Sequence, residues 1–146
     1  MKWLCRNLYR KEKGFTLVEL MVVIIILAVL TGIAIPSYMA LRNRARQTAA
    51  KAEMTNMATA IELFMSDYSE YPGDGLAELT LELEGAAGGT LNGANQYVYM
   101  SSVPQTDPWG GAYTYDDTDG DGSTYTLGCE SDATITITDG QASWND

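Results

Sequence analysis

One carboxylate stands inside an otherwise apolar run at positions 15–36, directly after a short basic segment, and this arrangement limits what the chain can become. Residues 20–35 are apolar apart from Thr31 and Gly32, and Glu19 is the single charge between Phe15 and Pro36. The run has 22 residues, close to the roughly 20 that a helix needs to cross a bilayer core. Lys2, Arg6, Arg10, Lys11 and Lys13 precede it, and such basic flanks are held on the cytoplasmic side. The expected orientation is therefore a single pass with the N-terminus inside and everything after Pro36 across the membrane. An ordinary secretory signal places its apolar region before the cleavage site. Here the small residue Gly14 offers a cut ahead of the apolar run, so the run stays on the mature chain and Phe15 acquires a new amino group.

The sequence Gly14-Phe15-Thr16-Leu17-Val18-Glu19 followed by the apolar run resembles that of type IV prepilins and pseudopilins. The resemblance implies a leader over residues 1–14, cleavage by a prepilin peptidase between Gly14 and Phe15, and N-methylation of Phe15. It also implies a pilin fold of the α+β class, in which a long N-terminal helix packs against an antiparallel sheet. The expected organisation is a transmembrane and assembly helix over 15–36, an amphipathic helix over 37–70 and a globular β head over 71–146. A carboxylate within a membrane helix costs on the order of 3 kcal/mol on insertion scales. In the family, the matching glutamate pairs with the N-terminal amine of a neighbouring subunit, so cleavage would create the cation that Glu19 requires.

Past Pro36, Met54, Ala58, Ile61, Met65 and Tyr68 recur at three- and four-residue spacing, which predicts an amphipathic helix. A helix continuous from Phe15 to Tyr68 would measure about 80 Å. Pro36 has no N–H for the carbonyl of Gly32, so a kink or loosening is expected there. A one-domain chain with a bare apolar half-helix has no soluble monomeric solution, which points to a membrane or a bundle of identical stems.

Charge is divided unevenly along the chain. All nine Lys and Arg lie at or before Lys51, and residues 52–146 carry 17 acidic groups and no basic one. Such a head repels nucleic acid. Arg42, Arg44, Arg46 and Lys51 form a basic band next to the membrane segment, suited to lipid headgroups and, after extraction from the membrane, to the acidic head of another copy. The chain has no His, which removes the commonest general base. With no nucleophile–base pair either, an enzyme is disfavoured. Cys5 falls in the leader, leaving Cys129 alone in the mature chain and suited to a small buried apolar role at a strand end.

In the head, Tyr71-Pro72-Gly73-Asp74-Gly75 should stop the helix, and a loop-like connector should run to Gly93. Strands are expected at 97–103, 112–115, 124–129, 133–138 and 141–144, the last pair joined at Asp139-Gly140. The aromatic residues Tyr38, Phe64, Tyr68 and Tyr71 read as core packing and helix–head contact. The segment Val103-Pro104-Gln105-Thr106-Asp107-Pro108-Trp109-Gly110-Gly111-Ala112-Tyr113, with Tyr71-Pro72 and Gly75-Leu76 before it, is similar to the pattern of the major pseudopilins of type II secretion. That resemblance implies a homo-oligomeric filament, the pseudopilus, built from an inner-membrane platform together with minor pseudopilins. A type IV pilus pilin serving adhesion, motility or DNA uptake, and a calcium-dependent adhesive module, are the alternatives.

Asp117, Asp119 and Asp121 alternate before Gly122, as at the opening of a calcium loop, but Gly128 stands where a bidentate Glu would follow. An acidic hairpin turn accounts for the same residues. Major pseudopilins bind calcium in a loop of this region, so calcium is carried forward as an expectation.

Overall fold

A computed structural model describes residues 14–91, 97–118 and 122–144. Helix α1 (Leu17–Tyr68) is followed by a short helix α2 (Leu76–Leu83) and the strands β1 (Tyr113–Asp117), β2 (Tyr125–Cys129), β3 (Ile135–Thr138) and β4 (Gln141–Trp144). The chain divides into two compact units at residues 41 and 42. The architecture is α+β and pilin-like: a long N-terminal helix and a four-stranded antiparallel sheet.

In the first unit, α1 is helical throughout, and its apolar side chains are covered by nothing: Leu17 is 74% exposed and Ile25 59%. An 18-residue window of this helix is long and apolar enough to cross a membrane. The loosening expected at Pro36 does not interrupt the helix. On either side of it, the hydroxyls of Thr31 and Ser37 donate to the carbonyls four residues back, at 2.7 and 3.2 Å.

In the second unit, α1 contributes Ala50, Met54, Met57, Ala58, Ala60, Ile61 and Phe64 to the core. These are the i, i+3, i+4 positions that an amphipathic helix buries. The helix ends at Tyr68, ahead of the Tyr71-Pro72 signal, because Ser69 takes a left-handed conformation at φ 61°. Phe64 stacks on Tyr68 at 4.6 Å and Tyr71 meets Tyr125 edge-on at 4.8 Å, whereas Tyr38, expected to pack with them, is 66% exposed because it lies on the part of α1 before the core residues begin at Ala50.

Two expectations for the head need correction. The connector after Gly75 is not a loop: Leu76, Leu79 and Leu83 line one face of α2, the latter two fully buried. Gly85, read as a breaker, sits at φ 65° just past the helix, and the amide of Ala86 donates to the carbonyl of Leu81 at 3.0 Å. That is the Schellman arrangement, in which a left-handed glycine closes the final turn. Residues 97–103, expected as a strand, are irregular. The amides of Tyr99 and Met100 both donate to the carbonyl of Leu83, at 2.9 and 3.1 Å, so the backbone that would form a ladder satisfies the end of α2 instead.

The sheet is a meander in the order β1-β2-β3-β4. Tyr113 pairs with Cys129, Leu127 with Ile137, and Ile137 with Ala142. Asp139 and Gly140, both at positive φ (48° and 70°), close the β3–β4 hairpin as expected. Alternation then sends Tyr113, Tyr115, Tyr125, Leu127, Ile135 and Ile137 into the core.

Candidate assembly site

At the start of α1, Thr16 and Glu19 satisfy one another. The amide and hydroxyl of Thr16 donate to Glu19 Oε2 at 2.9 and 2.7 Å, and the amide of Glu19 donates to Thr16 Oγ1 at 3.2 Å. This is a capping box, in which an N-terminal hydroxyl and a carboxylate three residues on consume two otherwise orphaned backbone donors. Both Thr16 contacts fall on Oε2. Gly14 and Phe15 are exposed, and a Cβ added to Gly14 would meet nothing within 4 Å. The fold therefore places no demand on a small residue at position 14.

The basic band separates into two groups. Lys51 lies 5.3 Å from the ring centroid of Trp144, within cation–π range. One turn earlier, the Gln47 amide donates to Asp132 at 3.2 Å. Lys51 is thus engaged with the C-terminal part of its own head, whereas Arg42 and Arg44 are exposed and Arg46 is half-buried.

Inside the head, tyrosine hydroxyls supply the donors that lysine or arginine would supply elsewhere. Tyr113 donates to Glu53 at 2.5 Å and Tyr99 to Asp67 at 2.7 Å. Tyr71 and Tyr125 both reach Glu62, at 3.3 and 3.4 Å, and the Tyr125 hydroxyl accepts the Gly140 amide at 3.0 Å. Burial first, and the neighbouring carboxylates second, push the phenols of Tyr71, Tyr99, Tyr113 and Tyr125 above the ordinary tyrosine value. Every one of these acids belongs to α1, so the contacts fasten the helix to the rest of the head without a single cation.

Asp107 is the other organising group, and sequence reasoning missed it. It is 4% exposed. Its Oδ1 accepts the amides of Trp109 and Gly111, both at 2.9 Å, and its Oδ2 accepts the Ser131 amide and the Cys129 thiol, both at 3.1 Å. Burial opposes its ionisation, but Ser131, Cys129 and the amides of Gly111 and Trp109 outweigh burial and hold the carboxyl far below the usual carboxylate range. Burial and Asp107 together push the Cys129 thiol up to about 11. Cys129 is buried at the end of β2 as expected, and at neutral pH it is a thiol rather than a nucleophilic thiolate.

Of the three carboxylates in the expected calcium loop, Asp117 accepts the Gly122 amide at 3.1 Å, while Asp119 and Asp121 lie outside the described residues. Among the described residues, no three metal-binding side chains converge. The loop is joined to the end of α1, because the Tyr71 amide donates to the Gly122 carbonyl at 3.0 Å.

The two halves of this arrangement each match a known family. Residues 9–35 match the prokaryotic N-terminal methylation motif, and residues 37–139 match the family described as type II secretion system (T2SS), protein G. The chain belongs to the protein G family. Among its relatives is the type II secretion system core protein G of Pseudomonas aeruginosa, 33% identical over 125 residues that cover 83% of this chain and 86% of the relative. The protein of the same description from Vibrio cholerae is 31% identical over 108 residues, covering 73% of this chain and 71% of the relative. That of Klebsiella pneumoniae is 32% identical over 107 residues, covering 71% and 74%. In the protein G chain described here, the methylation motif covers Gly14, Phe15, Thr16 and Glu19, and the second match takes in Arg42, Arg44, the Tyr71-Pro72 turn, Asp107 and the sheet as far as Asp139. The resemblance drawn from residues 14–19 and 103–113 therefore fell on the right family.

Proposed function

We propose that this chain is a structural subunit of the type II secretion pseudopilus: cut after Gly14, methylated on the amine of Phe15, held in the membrane as a single N-in pass, and polymerised through its stems. The observation that carries this reading is the contrast between a stem whose apolar residues are all exposed and a head whose core is closed. Exposed apolar surface on that scale must be covered by lipid or by other stems. Glu19 supports the assembled form. Its capping contacts both use Oε2, leaving Oε1 for the ammonium that cleavage creates on a neighbouring Phe15. A charge-assisted pair of this kind offsets the cost of carrying the carboxylate in an apolar setting. The partners that follow are a prepilin peptidase, an inner-membrane assembly platform and minor pseudopilins.

The test is maturation and assembly in cells that carry the secretion machinery. Mass spectrometry should find a mature terminus at methylated Phe15, and sheared filaments should contain this chain. Gly14→Val should block processing, since the fold leaves room for the valine and only the peptidase would reject it. A normal Phe15 terminus in that variant would show that the cut lies elsewhere.

A further inference from the structure

The second unit carries opposite charges at its two ends, and we infer that Arg42 and Arg44 of one copy seat on Glu70 and Asp74 of another, in a head-to-tail contact that repeats along the filament. The inference rests on the pseudopilus reading and names a surface for it. At one end, Arg42 and Arg44 are exposed, while Lys51 and Gln47 further along the helix are committed to Trp144 and Asp132. From Arg44 to the end of α1 at Tyr68 is 24 residues along the helix, about 36 Å at 1.5 Å per residue.

At that far end, Glu70 and Asp74 are both exposed. They share a neighbourhood. The turn bearing both is fastened to the head at two points, where the Tyr71 amide donates to the Gly122 carbonyl at 3.0 Å and the hydroxyl of Tyr115 donates to the Pro72 carbonyl at 2.8 Å. Among the described residues, these two acids accept none of the tyrosine or amide hydrogen bonds that occupy Glu53, Glu62, Asp67 and Asp107. The last turn of α1 holds no basic residue, so the negative end of the helix dipole adds to the same potential. No cation after Lys51 can neutralise this end within one copy. The stem-proximal arginines of another copy can. Two different patches meeting head to tail form a heterologous contact, and such a contact propagates into a filament instead of closing into a dimer.

The test uses the full-length chain in cells with the assembly machinery. Arg42→Glu with Arg44→Glu should lower filament yield about tenfold or more, since like charges set against each other at an interface cost several kcal/mol, with processing at Phe15 unchanged. Glu70→Arg with Asp74→Arg should do the same, and the four changes combined should restore most of the yield. Separately, treatment of filaments with a short bis-maleimide should join copies carrying Arg44→Cys with Asp74→Cys into a ladder, each maleimide adding one thiol, whereas either single cysteine should give none, Cys129 being buried. Unchanged yield in the arginine variant, or filaments whose double-cysteine subunits never cross-link, would overturn the contact. Loss of yield that the combined variant does not rescue, together with weaker flotation of the arginine variant on vesicles rich in anionic lipid, would assign the arginines to headgroups instead. If the unaltered chain forms no filaments at all, it is the pseudopilus reading that fails.

Discussion

The stem and the head solve opposite problems with the same helix. In the stem, α1 exposes apolar residues on every side and satisfies its one carboxylate with a single neighbouring threonine. In the head, the same helix buries a defined face, and its acids find tyrosine partners from as far as 63 residues away, as Tyr125 does for Glu62. The stem is thus incomplete by construction, whereas the head is finished within one chain. Substitutions should accordingly divide into those that spoil assembly and spare folding, and those that do the reverse.

The largest expected effect tests the first class. Glu19→Ala should leave the head's melting temperature and membrane insertion unchanged and reduce filament yield by orders of magnitude, because the neighbour's ammonium loses its counter-charge. Thr16→Val should have a smaller effect, since it removes the side-chain half of the capping box and leaves the carboxylate in place. Wild-type filament yield from cells making only the Glu19→Ala chain would erase the distinction between stem and head.

Next comes the head. Asp107→Ala removes the acceptor of the part-buried amides of Trp109, Gly111 and Ser131. At 1–3 kcal/mol for each unsatisfied group, the cost should be about 4 kcal/mol, seen as a fall in melting temperature on the order of 15 °C. Stem-driven insertion should survive. Because folding depresses the Asp107 carboxyl, its contribution is complete above the ordinary aspartate value near 4 and is lost as pH falls below it. The wild-type head should therefore weaken steadily under acid, and a flatter acid limb is expected for the variant. Equal stability of the two proteins at neutral pH would remove Asp107 from its organising role.

What could be read in the sequence follows the same division. The stem was legible because its signals are local: a basic leader, Gly14, Glu19 and an unbroken apolar run need no tertiary context. The β3–β4 hairpin was legible for the same reason, since Asp139-Gly140 is a turn by backbone preference alone. Helix α2 was hidden by glycines at 85, 88 and 89, although the spacing of Leu76, Leu79 and Leu83 was the signal that could have exposed it. The strand expected at 97–103 had the right residue types, but the free carbonyl of Leu83 took its amides. Asp107 lay within a recognised segment, yet its role depends on Cys129 and Ser131, more than twenty positions away, which no local pattern discloses.

A smaller effect should come from the tyrosine contacts. Tyr113→Phe leaves Glu53 without its donor and should cost about 1.5 kcal/mol, as expected for a hydrogen bond to a charged group. The pH dependence has the opposite sense to that of Asp107. Folding raises these phenols, so their contribution is present below the ordinary tyrosine value near 10 and is lost as pH climbs above it. The head should unfold progressively above pH 10, and part of that alkaline loss should disappear in the variant. An alkaline limb of the same slope in both proteins would show that Tyr113 packs without fastening the helix.

The smallest expected effect bears on the one place where a head without cations could borrow one. Calcium at Asp117, Asp119 and Asp121 is proposed from the spacing of the carboxylates. Asp117 already accepts the Gly122 amide, so the loop has a partner of its own before any ion arrives. Calcium should stabilise the detergent-solubilised mature protein by about 1.4 kcal/mol at a tenfold excess over Kd, seen as a higher melting temperature. Magnesium should do less, because its tight octahedral shell suits a glycine-rich loop poorly. Asp119→Ala with Asp121→Ala should abolish the difference while keeping the Asp117–Gly122 closure, and Asp117→Ala should lower stability even in chelator. Identical melting in calcium and in chelator for the unaltered protein would leave an acidic turn closed by Asp117. The head's charge would then be answered by its tyrosines, its amides, Lys51 and the arginines of other copies.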